Sequence, residues 1–257
     1  MNDKDYEALP GIRRSDLALM AKSPLHCRYH LDHKEEIEAS SALIFGQAAH
    51  KYILENETFF DEFAFMPDVN KRTKAGKEVA AAFQMENEGK TILDWEIQDV
   101  LRDMRDALFK NKQIREILTQ EHRTEVPFYW QDPETSEICK VKADIITEIS
   151  GYPYVIDYKT TKSCADGEFE RDCRRYGYDL QAGMYCEGIN ICTVQDNAFA
   201  FIVQEKTAPY AARIFWCDEG FVDQGRKKFH RLLNKYHECE MSGIWLGYPD
   251  ADLYGEE

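Results

Sequence analysis

The most regular alternation of apolar and polar positions lies in residues 140–162, on either side of Ser150 and Gly151. Alternation at a period of two is typical of a β-strand, and a central glycine can form a tight turn, so the pattern predicts a β-hairpin. Side chains alternate between the two faces of a strand. If the turn has only two residues, Asp144 on the first strand lies directly opposite Asp157 on the second.

Helical periodicity dominates before this hairpin, and strands and helices follow it. Ser15 is expected to cap the first helix, and Ser23 the second, with Pro24 at its first position. Asp218 is expected to cap a long closing helix. The other predicted elements are helices over residues 42–54, 80–85 and 180–189, an amphipathic helix from Asp94, a strand from Glu125, and strands over residues 198–203 and 211–217.

Several chemically active side chains coincide with these elements. Like charges opposed across strands are destabilising, so a divalent cation between Asp144 and Asp157 would remove a penalty. Lys159 shares the face of Asp157, and Glu125 can point to the same place because its apolar neighbours have the opposite parity. His50 lies on the face of the 42–54 helix that a neighbouring strand would approach. The alternatives are a surface Asp-x-Lys tripeptide and a histidine with an ordinary structural role.

Composition limits the possible classes of protein. The hydrophobic content of 44% is ordinary for a globular core. No apolar run approaches the ~18 residues of a transmembrane helix, and the first residues lack the apolar core of a signal peptide. The eight cysteines are scattered singly without a C-x-x-C pair, so a cysteine-held zinc ion or iron–sulfur cluster is not indicated. Reduced thiols in the cytoplasm are the expectation.

The net charge of −15 argues against a protein that coats nucleic acid over its whole surface. It leaves room for a narrow basic channel, because local charge decides contact. Basic residues do cluster near residues 13–14, 71–77, 171–175 and 226–231, each of which can alternatively be a solvated surface. The candidate DNA-contacting residues are Arg14, Ser15, Arg72, Lys74, Lys77, Lys162, Arg174 and Arg175.

An ordered series of short motifs resembles a known family. The motifs are G46-x-x-x-H50, Glu125, Asp144, D157-Y158-K159 and Q181-x-x-x-Y185. Their order and spacing resemble the PD-(D/E)XK nucleases of the RecB-like branch. The segments ALPGIRRSDL, FGQAAH and RTKAGK and the D-Y-K-T-T block resemble more closely the RecE-type phage exodeoxyribonucleases, on the lambda-exonuclease side. The resemblance covers about residues 6–189, and Ala143 stands where these families usually have proline.

The resemblance implies a role for each matched residue. The implied catalytic residues are His50, Glu125, Asp144, Asp157, Lys159, Gln181 and Tyr185. The implied ligands of Mg²⁺ or Mn²⁺ are His50, Glu125, Asp144, Asp157 and the carbonyl of Tyr158. Lys159 would position or deprotonate the attacking water and stabilise the developing charge, and Gln181 and Tyr185 would support the site and contact the DNA backbone.

These observations predict an α/β fold with a restriction-endonuclease-like core, in which a central mixed β-sheet is flanked by α-helices. One domain is expected over residues 1–257: a helical part (1–120), the catalytic sheet with its supporting helix (121–217), and a closing helix and tail (218–257). The implied activity is Mg²⁺-dependent hydrolysis of double-stranded DNA ends in the 5′-to-3′ direction, leaving 3′ overhangs for recombination.

The resemblance also implies partners and a setting. They are a homo-oligomeric ring around DNA, a single-strand annealing protein that receives the overhang, no membrane, and the cytoplasm of a bacterial host that carries a phage or prophage. An endonuclease or single-strand nuclease on the same core, and a catalytically silent DNA-binding scaffold, are the alternatives. The opposed carboxylates and Lys159 argue against the scaffold.

Overall fold

A computed structural model of the chain describes residues 6, 8–33 and 40–249, and the acidic tail from residue 250 lies outside the described residues. Ten α-helices are numbered here in chain order. They are α1 (Arg14–Lys22), α2 (Pro24–Asp32), α3 (Ser41–Leu54), α4 (Phe59–Glu62), α5 (Lys74–Glu86), α6 (Glu96–Lys110), α7 (Lys112–Thr119), α8 (Glu168–Tyr176), α9 (Tyr178–Thr193) and α10 (Glu219–Ser242).

Within the described residues, seven strands form two sheets. They are β1 (Phe63–Phe65), β2 (Thr91–Leu93), β3 (His122–Gln131), β4 (Ile138–Ile149), β5 (Tyr152–Thr161), β6 (Ala198–Glu205) and β7 (Ala212–Cys217). The small sheet is a parallel β1–β2 pair, and the large one has the order β3-β4-β5-β6-β7. Only the β5–β6 pair of the large sheet is parallel, and α8 and α9 make the connection between these two strands. This mixed sheet, flanked by helices, confirms the predicted α/β fold.

The large sheet separates two apolar cores. On one face α9 and α10 pack with α1 and α2, and Phe199, Phe201 and Phe229 are buried there. On the other face α3, α6 and α7 cover the sheet, and Ile156 and Met104 are buried. Because both faces are covered, β6 is a continuous apolar run from Ala198 to Val203 rather than a strict alternation.

Some helix boundaries differ from those that the sequence predicts. Ser23 caps α2 as expected, since its hydroxyl accepts the backbone N–H of His26 at 3.3 Å. Ser15 is not a cap: α1 begins one residue earlier, and the carboxylate of Asp16 accepts the backbone N–H of Arg13 at 2.9 Å. A buried carboxylate near a helix N-terminus supplies what the serine was expected to supply.

Two segments that can be taken for solvated basic loops are helical. The helix predicted over residues 80–85 begins at Lys74, because the hydroxyl of Thr73 caps it by accepting the N–H of Gly76 at 3.0 Å. The charged stretch around residues 168–176 forms α8, whose phenylalanine and cysteine, Phe169 and Cys173, are buried four residues apart. One buried face is enough to hold a short charged helix against a core.

No helix within the described ranges is long and apolar enough to cross a membrane.

Candidate active site

The site lies where β4 and β5 separate. The hairpin turns at Ser150 and Gly151, which both have positive φ, and its ladder runs as predicted up to the pair Ile145–Ile156. The next position on each strand is an aspartate, Asp144 and Asp157, and the β4–β5 ladder ends before it. The register alone predicts that the two aspartates form a ladder pair. In the structure they are not paired, and they are the first residues of an opening between the strands.

Backbone groups at this opening are satisfied by a side chain. The N–H of Tyr158 donates to Oδ2 of Asp144 at 2.9 Å, in place of a bond to β4. The ring of Tyr158 points to the opposite face, where its hydroxyl donates to Oε1 of Gln204 at 2.7 Å. Burial of Ala143 on one face and Ile145 on the other shows that β4 changes its alternation at Asp144. The change of face is what aims this carboxylate into the opening.

Three residues from three elements meet beside Asp144. Nε2 of His50, on α3, lies 2.9 Å from Oδ2 of Asp144 and 3.4 Å from Oε1 of Glu125. Glu125 also forms an ion pair with Lys142. Glu125 has φ of 52°, which is unusual for a residue other than glycine and interrupts β3 between its pairs with β4 at positions 124 and 126. Strand parity predicts that Glu125 points toward the site, and its left-handed backbone conformation is what places its carboxylate there.

A second group of polar contacts surrounds Asp157, which is 2% exposed. Nζ of Lys159 lies 2.6 Å from Oδ2 of Asp157, so the two residues form an ion pair along one face of β5. From α9, Nε2 of Gln181 donates to Oδ1 at 2.5 Å. One turn further along α9, Tyr185 packs its ring against Phe199 beneath the sheet. The glutamine and tyrosine of the last motif thus lie under the aspartate.

The pKa values of the two aspartates are shifted in opposite directions, up for Asp157 and down for Asp144. Burial and the neighbouring Asp144 carboxylate raise the pKa of Asp157 to about 6, against the lowering effect of Lys159. Burial would also raise the pKa of Asp144, but the charge of His50, Lys159 and the Tyr158 N–H together lower it. Burial lowers the pKa of His50, yet Asp144 and Glu125 outweigh it and raise this pKa to about 9. The pKa of each of these three residues therefore depends on the charges of the other two.

The donor set fits a divalent cation. His50, Glu125 and Asp144 each offer one ligand atom, and these three atoms lie within 4.8 Å of one another. Two carboxylates and one imidazole suit Mn²⁺ well, and an oxygen-rich set also suits Mg²⁺. Burial is the main cause of the raised pKa of Asp157, and the neighbouring Asp144 carboxylate adds to it; a cation would offset this repulsion.

A cleft of 620 Å³ opens over these residues, between α3 and β5. Gly46 lines it, and a Cβ at this position would only touch Oγ1 of Thr160 at 3.9 Å, so the protein itself has room for a methyl group there. A second cleft of 570 Å³ adjoins the first, and Thr160 and Tyr178 line both. The two clefts therefore form a continuous groove.

Charge differs along this groove. Four cationic residues line the second cleft: Lys162, Arg171, Arg175 and Lys206. Two acidic residues, Glu168 and Asp172, lie among them, and Arg171 pairs with Glu168. At the junction, the Tyr178 ring lies 5.4 Å from Nζ of Lys159 and 5.7 Å from the guanidinium carbon of Arg14. The groove thus leads from a carboxylate-rich site to a net basic stretch.

The remaining candidate DNA-contacting residues fall in different places. Arg14 donates to the carbonyl of Tyr176 at 2.8 Å, close to the junction of the two clefts. Ser15 is exposed on α1. Arg174 lines a separate surface cleft with Lys228, so neighbouring arginines of α8 face different ways. The candidates of the 71–77 segment, Arg72, Lys74 and Lys77, are exposed and line neither cleft of the groove.

Lys142, Tyr178 and Lys206 are among the groove residues that were not sequence candidates. Lys142 shares its strand face with Asp144, and that parity could have identified it. Tyr178 follows Tyr176 in an arginine-rich stretch, a weak aromatic signal. Lys206 directly follows β6 in the sequence. It lies near Thr161 because its backbone N–H donates to the Thr161 carbonyl at 3.1 Å. No sequence pattern points to it.

Comparison with known proteins agrees with this geometry. Residues 14–249 match the family described as a PDDEXK-like domain of unknown function (DUF3799), and the chain belongs to this family. No curated protein matches the chain in sequence. The crystal structure of a candidate exonuclease from Eubacterium rectale is similar to this one, with a TM-score of 0.63 and 14% sequence identity. The alignment covers 98% of this chain and 96% of the exonuclease chain.

A second solved structure, that of SSO0001, is also 14% identical and covers 93% of this chain and 86% of its own. Its TM-score of 0.38 is too low to carry an argument. The first structure shows a shared fold, and the family model identifies the domain as PDDEXK-like. Family membership, fold and site chemistry together support a nuclease.

Proposed function

We propose that this protein is a metal-dependent nuclease that hydrolyses DNA phosphodiester bonds, and that it acts as a 5′-to-3′ exonuclease on double-stranded ends. One observation carries the proposal: Asp144, Asp157 and Lys159 converge with His50 and Glu125 where two strands separate, at the base of an open cleft. The Eubacterium rectale structure, whose protein is named as a candidate exonuclease, supports the exonuclease assignment.

His50, Glu125 and Asp144 would hold Mg²⁺ or Mn²⁺, with Asp157 and the carbonyl of Tyr158 completing the set. Such a cation supplies Lewis-acid polarisation of the scissile phosphate. Asp144 is prepared for this role because its pKa is lowered and it stays ionised. His50 must lose its proton before its Nε2 can act as a ligand.

Lys159 is the residue of this chain that would act directly on the reacting atoms. Its ammonium lies in the cleft beside Asp157 and over the Tyr178 ring, where it can orient a water toward phosphorus and stabilise negative charge as it develops. Gln181 would hold Asp157 in place through its hydrogen bond, and Tyr185 would hold α9 against β6 through its ring contact with Phe199.

The adjoining basic cleft supports a nucleic-acid substrate. A chain with a net charge of −15 repels DNA over most of its surface. Cationic residues that line a groove next to the site would attract the DNA phosphates at that place. Tyr176, which is 46% exposed there, can stack on an unpaired base. We propose that one strand follows this groove from the site toward Lys162 and Arg175.

The test compares end-labelled linear duplex, closed circular duplex and single-stranded DNA, each with Mg²⁺ or with EDTA. The proposal expects Mg²⁺-dependent loss of the 5′ label from linear duplex, intact circles, and no such loss with Asp144→Asn. Asp103→Asn, which changes an exposed aspartate on α6, is the matched control and should keep full activity. Cleavage of circles at an equal rate would show an endonuclease, and inactivity of the wild type on all three substrates would contradict the nuclease.

We further propose that several subunits enclose the duplex as a ring and pass the 3′ overhang to a single-strand annealing protein. A ring would place the basic grooves inside and the acidic surface outside, which reconciles the net charge with processive digestion. Light scattering should give a mass several times 30.0 kDa. A monomer that still digests long duplexes processively would contradict the ring.

A further inference from the structure

A second group of potential ligands lies at the other end of β3. It consists of Asp132, in the turn between β3 and β4, Glu187 on α9 and His230 on α10. Their ligand atoms all lie within 4.8 Å of one another. Asp132 is seven residues beyond Glu125, roughly 20 Å along the strand at ~3.3 Å per residue, so this group is distinct from the active site.

The contacts of Asp132 are one-sided. Its Oδ2 accepts three hydrogen bonds within the turn, from the N–H groups of Glu134 and Thr135 at 3.2 and 2.8 Å and from the Thr135 hydroxyl at 2.8 Å. Its Oδ1 is buried and has no hydrogen-bond partner among the described residues. Asp132 is 1% exposed, so bulk water does not solvate that oxygen. A buried carboxylate oxygen without a partner is destabilising, which points to a missing cation or donor.

The neighbouring side chains do not supply that donor. Nε2 of His230 lies 2.9 Å and 3.0 Å from the two carboxylate oxygens of Glu187, and Nε of Arg226 lies 3.5 Å from one of them. Arg226 also pairs with Asp223. The guanidinium of Arg226 thus partially neutralises Glu187, while Oδ1 of Asp132 adds a further negative charge to the group.

We propose that Asp132, Glu187 and His230 form a second metal site, which takes a divalent transition metal of the Zn²⁺ type. Two carboxylates and an imidazole from three elements make three protein ligands, and a water can complete a tetrahedral shell. The imidazole favours Zn²⁺ over Mg²⁺. The metal would fasten the β3–β4 turn to α9 and α10, and so fix the helix that carries Gln181 under the active-site aspartate.

The chain contains a matched control for this site. His237 lies seven residues after His230 on the same helix, and its Nδ1 contacts Oε1 of Glu137 at 2.8 Å. The two histidine side chains are similarly exposed, 33% and 35%. His237 belongs to no group of three ligands among the described residues. Loss of His237 therefore removes a comparable surface histidine–glutamate pair without removing a metal site.

The experiment is a calorimetric titration of Zn²⁺ into untagged protein that carries Asp144→Asn, so that the active-site cluster is disabled. One Zn²⁺ per chain is expected to bind. Adding His230→Gln, which retains a hydrogen bond to Glu187, should weaken that binding at least tenfold, whereas adding His237→Gln should leave it unchanged. Absence of Zn²⁺ binding in the Asp144→Asn protein, or an equal effect of the two histidine variants, would overturn the site.

A second variant tests the unpaired oxygen itself. Asp132→Asn can keep an amide oxygen on the three turn donors and place an NH₂ group where Oδ1 lies. In EDTA this variant should melt at or above the wild-type temperature, because it removes repulsion with Glu187. In the Asp144→Asn background, Zn²⁺ should raise the melting temperature of the protein that has Asp132 and not that of the protein with Asp132→Asn. An equal rise in both proteins would show that Asp132 is not a ligand, and a lower melting temperature in EDTA would show that the oxygen is satisfied without metal.

Discussion

At the scale of single residues, the candidate active site contains charged groups that are close enough to shift one another's pKa. Asp144 and Asp157 share a small buried region, and His50 and Lys159 provide the compensating positive charge. Each contact is ordinary as an ion pair, but their concentration at the base of a cleft is typical of functional sites. The arrangement separates residues that hold charge from Lys159, which is expected to act on the reacting phosphate.

The first prediction separates chemistry from binding. Lys159→Ala should reduce the rate of DNA hydrolysis by about a hundredfold or more, since a preorganised cation at the developing charge is lost. Affinity for a labelled duplex in Ca²⁺ and the melting temperature should stay close to wild type. Single-turnover rates and fluorescence anisotropy measure the two effects. A variant that retains most of the hydrolysis rate would show that Lys159 is structural.

The second prediction concerns pH in the absence of metal. The pKa of His50 is raised from 6.5 to about 9 by Asp144 and Glu125, against the effect of burial. Its stabilising contribution is therefore fully present below pH 6.5 and is lost as the pH rises through about 9. Melting temperatures in EDTA should fall over this range. His50→Gln should remove this part of the fall, and an unchanged profile in the variant would contradict the assignment.

At the scale of elements, the position of the site depends on close contact between α9 and α10. A Cβ added at Gly225 would lie 1.8 Å from the carbonyl oxygen of Asp179, and one at Gly183 would lie 2.2 Å from the backbone N of Arg226. Two glycines on facing helices thus let the backbones touch. Because α9 carries Gln181 beneath Asp157, the spacing of the two helices sets the position of a residue in the site.

The third prediction tests this helix contact. Gly225→Ala should destabilise the protein by at least ~1–3 kcal/mol, since the methyl group must displace backbone rather than a flexible side chain. Gly220→Ala on the same helix is the control: its Cβ would meet only the Asp218 carboxylate at 3.4 Å, and alanine favours helix. Urea unfolding gives both values. Equal stability of the two variants would mean that α9 and α10 pack less closely than described.

At the scale of the whole molecule, charge is distributed unevenly. The net charge is −15, yet the cleft beside the active site has four cationic and two acidic lining residues. Long-range repulsion would slow the approach of DNA, and the basic groove would restore attraction only along one path. The same distribution would make DNA binding strongly dependent on salt, because each phosphate contact releases counterions.

The fourth prediction measures this path. Lys162→Ala combined with Lys206→Ala should weaken duplex binding in EDTA and reduce the slope of log affinity against log salt concentration by about 2, one unit for each lost phosphate contact. The control combines Lys110→Ala and Lys112→Ala, exposed lysines on α6 and α7 outside both clefts. A smaller slope in the control pair than in the groove pair would contradict the proposed path.

Local pattern was sufficient for much of the fold. Strict alternation around a two-residue turn determined the β4–β5 register up to Ile145 and Ile156, and the cap at Asp218 marked the start of α10. Parity along β3 indicated that Glu125 points away from its apolar neighbours. These features depend on residues close together in sequence, where backbone geometry allows few solutions.

Only the tertiary structure decided how distant segments converge. Beyond the Ile145–Ile156 pair, β5 leaves β4 and stays paired with β6, and the left-handed backbone at Glu125 lies opposite Asp144, where β4 changes face. Lys206 joins the basic cleft from another strand, and Asp132 meets His230 across almost a hundred residues. Such meetings result from long-range packing of two cores on one sheet, and no periodicity along the chain records them.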